Sequence, residues 1–215
     1  MIDKYRIWFN KIGVAKYISH LDLMRTFTRM LRQSHLPVWY TEGFNPHPFL
    51  TFAAPLSLGV EALNEPFDIK LTEPLPVGVV LKALQDVQTP ALPITAVTLP
   101  LKKFSEVTAA EFEITLQEEV NLHEIESIFN GEIIFTKPAK IKRGKRIAEK
   151  QFSAKINLTD VKNADNYAVL SMILPQGQTN NVNINLVTDY LANEIGAKLE
   201  NIRRLMLFCD DKPLQ

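Results

Sequence analysis

One order of patterns runs along this sequence and then roughly returns. Residues 4 to 9, KYRIWF, alternate polar and apolar and are rich in aromatic and branched side chains, which predicts a strand. After a turn around Gly13 a helical period begins at Ser19. Leu23, Met24, Phe27, Met30, Leu31 and Ser34 share one face of it; Asp22, Arg25, Arg29 and Arg32 share the other. Ser19 and Asp22 match the S-x-x-D start signal, in which the serine side chain caps a free backbone N–H, and Pro37 follows the end. PVWYTEG reads as a short strand, FLTFAAPLSLGV and PFDIKLTE as further strands. PVGVVLKALQDV reads as a helix with Pro76 in its first turn, and LPITAVTLPLK as the closing strand. Strand, helix, strand, strand, helix, strand is the split β-α-β order of a ferredoxin-like unit.

KKFSEVTAAE then reads as a linker, and the order resumes. EFEITLQ predicts a strand, NLHEIESIFNG a short helix ended by Gly131, and EIIFTKPAK a strand. RIAEKQFSAKINL and YAVLSMILP predict strand pairs. NINLVTDYLANEIG predicts a helix stopped by Gly196, and IRRLMLFCD a final strand. The expectation is an α+β chain of two tandem ferredoxin-like units with antiparallel sheets, residues 1–104 and 110–215. A length of 215 residues accommodates two such domains.

Composition removes some function classes. The apolar runs are short and broken by proline or charge, so no membrane span is expected, and MIDKYRIWF lacks the apolar core of a signal peptide. The single cysteine, Cys209, excludes an internal disulfide and any cysteine-built zinc or iron–sulfur cage. A cytoplasmic protein is expected. Its place in an apolar closing strand predicts a buried, inert thiol. Neither G-x-x-x-x-G-K-[ST], G-x-G-x-x-G nor G-x-S-x-G is present, so the usual phosphate cradles and the nucleophile elbow are absent. Net charge is zero, as a sum of unequal parts. Residues 1 to 36 carry seven Lys/Arg against Asp3 and Asp22, and residues 136 to 155 carry eight against Glu149; the acids concentrate over residues 61 to 135. Two basic blocks can form a positive face on a neutral protein.

Four segments could carry chemistry. In YTEGFNPHP, Gly43 permits a backbone closed to other residues, while Pro46 and Pro48 fix their own φ and hold Asn45 and His47 near extended conformations. Groups with few alternative conformers bind at lower entropic cost, so Tyr40, Glu42, Asn45 and His47 form a candidate binding corner. As a plain turn, Asn45 and His47 would instead satisfy local backbone groups. In SHLD, His20 and Asp22 open the helix; with Glu42 and His47 they could make an acid/base or metal site. Arg25, Arg29 and Arg32 lie at helical spacing and could track phosphates, or form a solvated face. KPAKIKRGKRIAEK reads as a basic hairpin tip, with Lys142, Arg143, Lys145 and Arg146 around Gly144.

The run KYISHLDLMRTFTRMLRQSHLPVWYTEGFNPHPFLTFAAPLSLGVE resembles the bacterial radical SAM-linked proteins, a family carrying a domain of unknown function. Some members are separate chains; others are fused behind a radical SAM enzyme domain. The resemblance is specific over residues 4 to about 75, through SHLDLMR and GFNPHP, and looser beyond. Family members place Lys or Arg after the corner, where this chain has Phe49, and many have Asp-x-Arg after the basic turn, where it reads EKQFSAKI. The resemblance implies a radical SAM partner. This chain has no C-x-x-x-C-x-x-C, so no cofactor is expected in it: the iron–sulfur cluster and SAM would belong to the partner. The resulting expectation is a non-catalytic RNA-binding or substrate-presenting accessory protein. The alternatives are an enzyme with its site at His20, Asp22, Glu42 and His47, and a protein-interaction scaffold using the acidic residues 106 to 132.

Overall fold

The computed structural model describes residues 3–137, 140–142, 145–147, 150–177 and 181–214, with the backbone alone at 137, 140–142, 145–147 and 150. The chain is a mixed α+β fold with mostly antiparallel sheet and four helices among the described residues. None of those helices is long and apolar enough to cross a membrane. The chain divides into two compact units, Met1–Thr108 with Arg203–Gln215, and Ala109–Ile202.

In the first unit the alternation of the opening strand sorts its side chains. β1 (Asp3–Lys11) buries Tyr5, Ile7 and Phe9 on one face. α1 (His20–Gln33) starts where expected: Ser19 is extended, and its hydroxyl accepts the Asp22 N–H at 3.1 Å. Leu23, Phe27, Met30 and Leu31 are buried on its apolar face. The strand predicted at PVWYTEG is reduced to two isolated bridges, Val38 with Leu71 and Tyr40 with Pro48. β2 is only Leu50–Phe52. The remainder of its apolar run is interrupted by Pro55, which lacks a ladder donor, and turns at Gly59 with φ +81.

β3 (Val60–Leu71) is longer than its pattern suggests, because it absorbs Leu63 and Asn64 at a register shift opposite Phe9–Lys11, while Pro66 stays in register opposite Trp8. Asn64 takes φ +52, a geometry asparagine tolerates, and donates its N–H to the Asn10 side chain at 2.9 Å. α2 (Val77–Gln85) and β4 (Ile94–Thr98) complete the run. The strands lie in the order β4–β1–β3–β2, every pair antiparallel.

Tyr5 stands opposite Ile69 and Ile7 opposite Phe67, so paired side chains share one face. That face holds an aromatic cluster: Phe27 lies 4.6 Å from Phe9 and 4.5 Å from Phe67 between ring centroids, and Phe52 lies 5.5 Å from Phe67. On the other parity Arg6 stands opposite Asp68, and both are fully buried. Arg6 binds Asp68 at 2.9 Å, donates to the Lys102 carbonyl at 2.8 Å, and rests 4.3 Å from the Phe104 ring centre. Lys4 adds a second cation to Asp68 at 2.8 Å.

In the second unit β5 (Ala109–Leu116) buries Ala110, Phe112, Ile114 and Leu116 in strict alternation. α3 (Leu122–Phe129) is capped by Asn121. β6 (Glu132–Lys137) pairs with β9 (Lys150–Lys155), and between them β7 (Lys140–Lys142) pairs with β8 (Lys145–Ile147). β10 (Asn157–Ala164) and β11 (Tyr167–Pro175) join β5 in the order β10–β11–β5. The strand predicted after α3 thus makes its own two-stranded pair outside that sheet. α4 (Ile184–Ile195) ends at Gly196 with φ +66, the left-handed stop that glycine supplies.

β12 (Leu199–Cys209) and β13 (Lys212–Pro213) close the chain. The sequence reading keeps 110–215 together; in the structure Arg203–Gln215 groups with the first unit. Two ion pairs tie it there, Arg203 to Glu61 and Arg204 to Glu65. Partners so far apart along the chain leave no local pattern to read.

Candidate functional site

The corner GFNPHP is a built protrusion. Its legs are joined by the Phe49 N–H donating to the Trp39 carbonyl at 3.0 Å, with the Lys70 ammonium 4.8 Å from the Trp39 ring and 4.5 Å from the Phe49 ring. The cation beside the corner therefore comes from β3, while Phe49 supplies an aromatic face to it. Higher up, the Thr41 N–H donates to the His47 carbonyl at 2.9 Å and the His47 N–H to Thr41 Oγ1 at 3.2 Å. Gly43 turns the chain with φ +131.

His47 Nδ1 lies 3.0 Å from the Asn45 carbonyl oxygen and 3.1 Å from Thr41 Oγ1. A carbonyl can only accept, so Nδ1 carries a proton. The turn reading of this histidine is thus half right: one ring nitrogen satisfies the corner, and the other has no partner among the described residues. Around it Glu42, Asn45 and Pro46 are exposed, Tyr40 is 41% exposed, and Phe44 is completely exposed at 106%. Sequence reasoning passed over Phe44. Its signal is an apolar ring set between glycine and asparagine in a turn sequence.

On α1, Asp22 is occupied. The Ser19 hydroxyl donates to it at 2.7 Å and Arg25 binds it at 3.1 Å. The Ser19 hydrogen bond and then Arg25 hold its carboxyl below the usual carboxylate range. Arg29 and Arg32 are exposed on the same helix. No hydrogen bond, ion pair or ring contact joins His20 or Asp22 to Glu42, Asn45 or His47, so the structure does not bring the expected acid/base set together. Among the described residues no three His, Cys, Asp or Glu side chains converge as metal ligands. Ser19→Ala removes the cap and is expected to cost about 1 kcal/mol in urea denaturation; an unchanged midpoint would mean the cap is dispensable. Of the basic hairpin, the backbones of Lys142 and Lys145, and of Ile141 and Arg146, stand paired. Arg143, and the side chains of Lys142, Lys145 and Arg146, lie outside the described residues.

His20 is half-buried, and the same unit holds a buried charge cluster that the sequence reading missed. The His20 ring meets Phe52 edge-on at 5.1 Å. Arg204, 1% exposed, grips both carboxylate oxygens of Glu65 at 2.6 Å and donates to the Ala54 carbonyl at 2.8 Å. Lys11, 2% exposed, donates to the Lys16 carbonyl at 3.3 Å. Burial pushes the Lys11 ammonium below the usual lysine range; Arg204 pushes the same way and Glu65 opposes it. Burial, then the charge of Lys11, lowers His20 as well. The available signal was a lysine in register with Tyr5, Ile7 and Phe9, and an arginine two residues after Ile202, on buried parities of otherwise apolar strands.

The profile of an uncharacterized protein family conserved in bacteria, DUF2344, matches residues 4–184. The chain belongs to the DUF2344 family. No curated protein matches this DUF2344 chain. Among solved structures, a chain from the crystal structure of a Cbf5-Nop10-Gar1 complex is similar to it with a TM-score of 0.53 at 13% identity. The match covers 96% of the DUF2344 chain and 50% of the other, so this protein spans half the length of the solved chain it resembles. At that identity the likeness speaks for the fold alone.

Proposed function

We propose that this DUF2344 protein is a non-catalytic RNA-binding or substrate-presenting module, and that the corner at residues 43–48 is its recognition tip. The observation that carries the reading is Phe44, fully exposed at the apex of a turn whose backbone is held by its own hydrogen bonds. A soluble protein gains nothing in folding from an aromatic ring wholly in water, while a rigidly presented ring is a stacking platform for an unpaired base. The exposed Arg25, Arg29 and Arg32 supply the cations that a phosphate backbone requires. In this reading both units are of the split β-α-β kind, the first with its strands in the order β4–β1–β3–β2 and the second with β6–β9 as an insertion. The protein works in the cytoplasm beside a radical SAM enzyme, and that partner holds the iron–sulfur cluster and SAM.

Single-stranded RNA titrations across salt concentration test it. Phe44→Ala is expected to weaken binding roughly 5- to 150-fold, the equivalent of about 1–3 kcal/mol for a lost stacked base, with the salt slope unchanged. Arg29→Ala is expected to lower the slope by about one unit. Absence of binding at low salt, or equal affinity of the Phe44→Ala protein, would sink the proposal.

A further inference from the structure

At the foot of the corner, the sheet of the first unit carries a lysine that the fold holds but does not pair. Lys4, Arg6, Asp68 and Lys70 alternate with the core residues of β1 and β3, so they share the face opposite the core. Across the two strands Arg6 stands opposite Asp68, and Lys4 opposite Lys70. Asp68 is already bound by Arg6 at 2.9 Å and by Lys4 at 2.8 Å. The Lys70 ammonium is held by two rings, Trp39 at 4.8 Å and Phe49 at 4.5 Å, and no hydrogen bond or ion pair reaches it among the described residues. Like charges directly opposite on neighbouring strands are destabilising, so folding alone gives no reason to set Lys4 across from Lys70.

The rings fix the ammonium without neutralising it, and all three of its N–H donors lack a protein acceptor. Arg6 is fully buried, which leaves exposed Lys4 and half-buried Lys70 as the cations of this face within reach of solvent. The two rings are the legs of the corner itself, joined where the Phe49 N–H meets the Trp39 carbonyl at 3.0 Å. Five residues of chain, at most about 18 Å, separate either ring from Phe44 at the apex. One single-stranded site a few nucleotides long covers that distance.

We propose that Lys70, with Lys4 across from it, binds a backbone phosphate of the same single-stranded RNA whose base stacks on Phe44, and that Trp39 and Phe49 position the Lys70 ammonium for it. The inference rests on the RNA reading of the corner. It adds the course of the strand, from Phe44 along the legs of the corner to the outer face of β1 and β3.

Titrations of the full chain with single-stranded RNA across salt concentration test it. Lys70→Met keeps an apolar stem between the rings and is expected to lower the salt slope by about 0.7 unit, the value of one single-strand phosphate contact. Lys4→Met is expected to lower it by less, because Asp68 already takes up part of that charge. Phe49→Leu keeps every charge but loosens the ammonium, so it is expected to weaken binding in the natural background and to add nothing to Lys70→Met. A full additional loss in the Phe49→Leu/Lys70→Met protein overturns the positioning role of the ring. RNA binding with an unchanged slope in the Lys70→Met protein overturns the phosphate site and leaves the RNA reading standing. Absence of RNA binding by the natural protein at low salt overturns both. Should Lys70→Met fail to fold, Lys70→Gln removes the same charge and decides the matter by the same slope.

Discussion

Asp68→Ala is expected to lower the free energy of unfolding of the first unit by about 3–5 kcal/mol. Asp68 and Arg6 are both fully buried, and Asp68 also neutralises Lys4. Deleting the carboxylate removes the anion that a fully buried Arg6 holds at 2.9 Å, and the Phe104 ring at 4.3 Å cannot replace an anion. Both tryptophans, Trp8 and Trp39, lie in this unit, so their fluorescence reports its urea transition. The double variant Arg6→Met/Asp68→Leu is expected to recover most of the loss, because an apolar pair of similar volume avoids the desolvation that an ion pair must overcome. A loss below about 1 kcal/mol for Asp68→Ala would place the pair among ordinary surface salt bridges and contradict its burial.

The second large effect is expected at Phe27. Its ring is 1% exposed and meets Phe9 at 4.6 Å, Phe67 at 4.5 Å and Phe52 at 5.9 Å. Phe27→Ala removes the ring that α1 presses onto the sheet and opens a cavity that three flanking phenylalanines cannot fill without leaving their rotamers. The expected cost is about 3–5 kcal/mol in the same fluorescence-detected transition, with Phe27→Leu recovering more than half. A cost near that of an exposed substitution would mean that α1 does not dock by this face.

Much of the first unit was legible because its signals are local. Ser19 caps, Leu23 to Leu31 repeat at helical spacing, and Tyr5, Ile7 and Phe9 alternate. Each states its own structure within a few residues. Errors fell where a partner chose between local options. PVWYTEG has the side chains of a strand but bridges the sheet at Val38, while its Tyr40 bridges Pro48 of the corner, and β3 continues past Asn64 because a bulge absorbs it. In the second unit β6 finds β9 rather than the β5 sheet, a choice among equally alternating strands that alternation cannot make.

The corner divides the same way. From GFNPHP alone follow the rigid backbone and the restricted Asn45 and His47, since proline and glycine act on their own dihedral angles. Only the folded loop shows that His47 turns Nδ1 toward the Asn45 carbonyl, and that Phe44 stands in water. The charge cluster is the far case. Lys11, Glu65 and Arg204 are ordinary residues in the sequence, the last two separated by 139 positions. They fall in one compact unit because Arg203–Gln215 groups with residues 1–108. By itself the sequence determined what each segment can be, through dihedral limits and periodicity. Tertiary structure decided which charges are buried together, because burial belongs to pairs of segments and is encoded in neither alone.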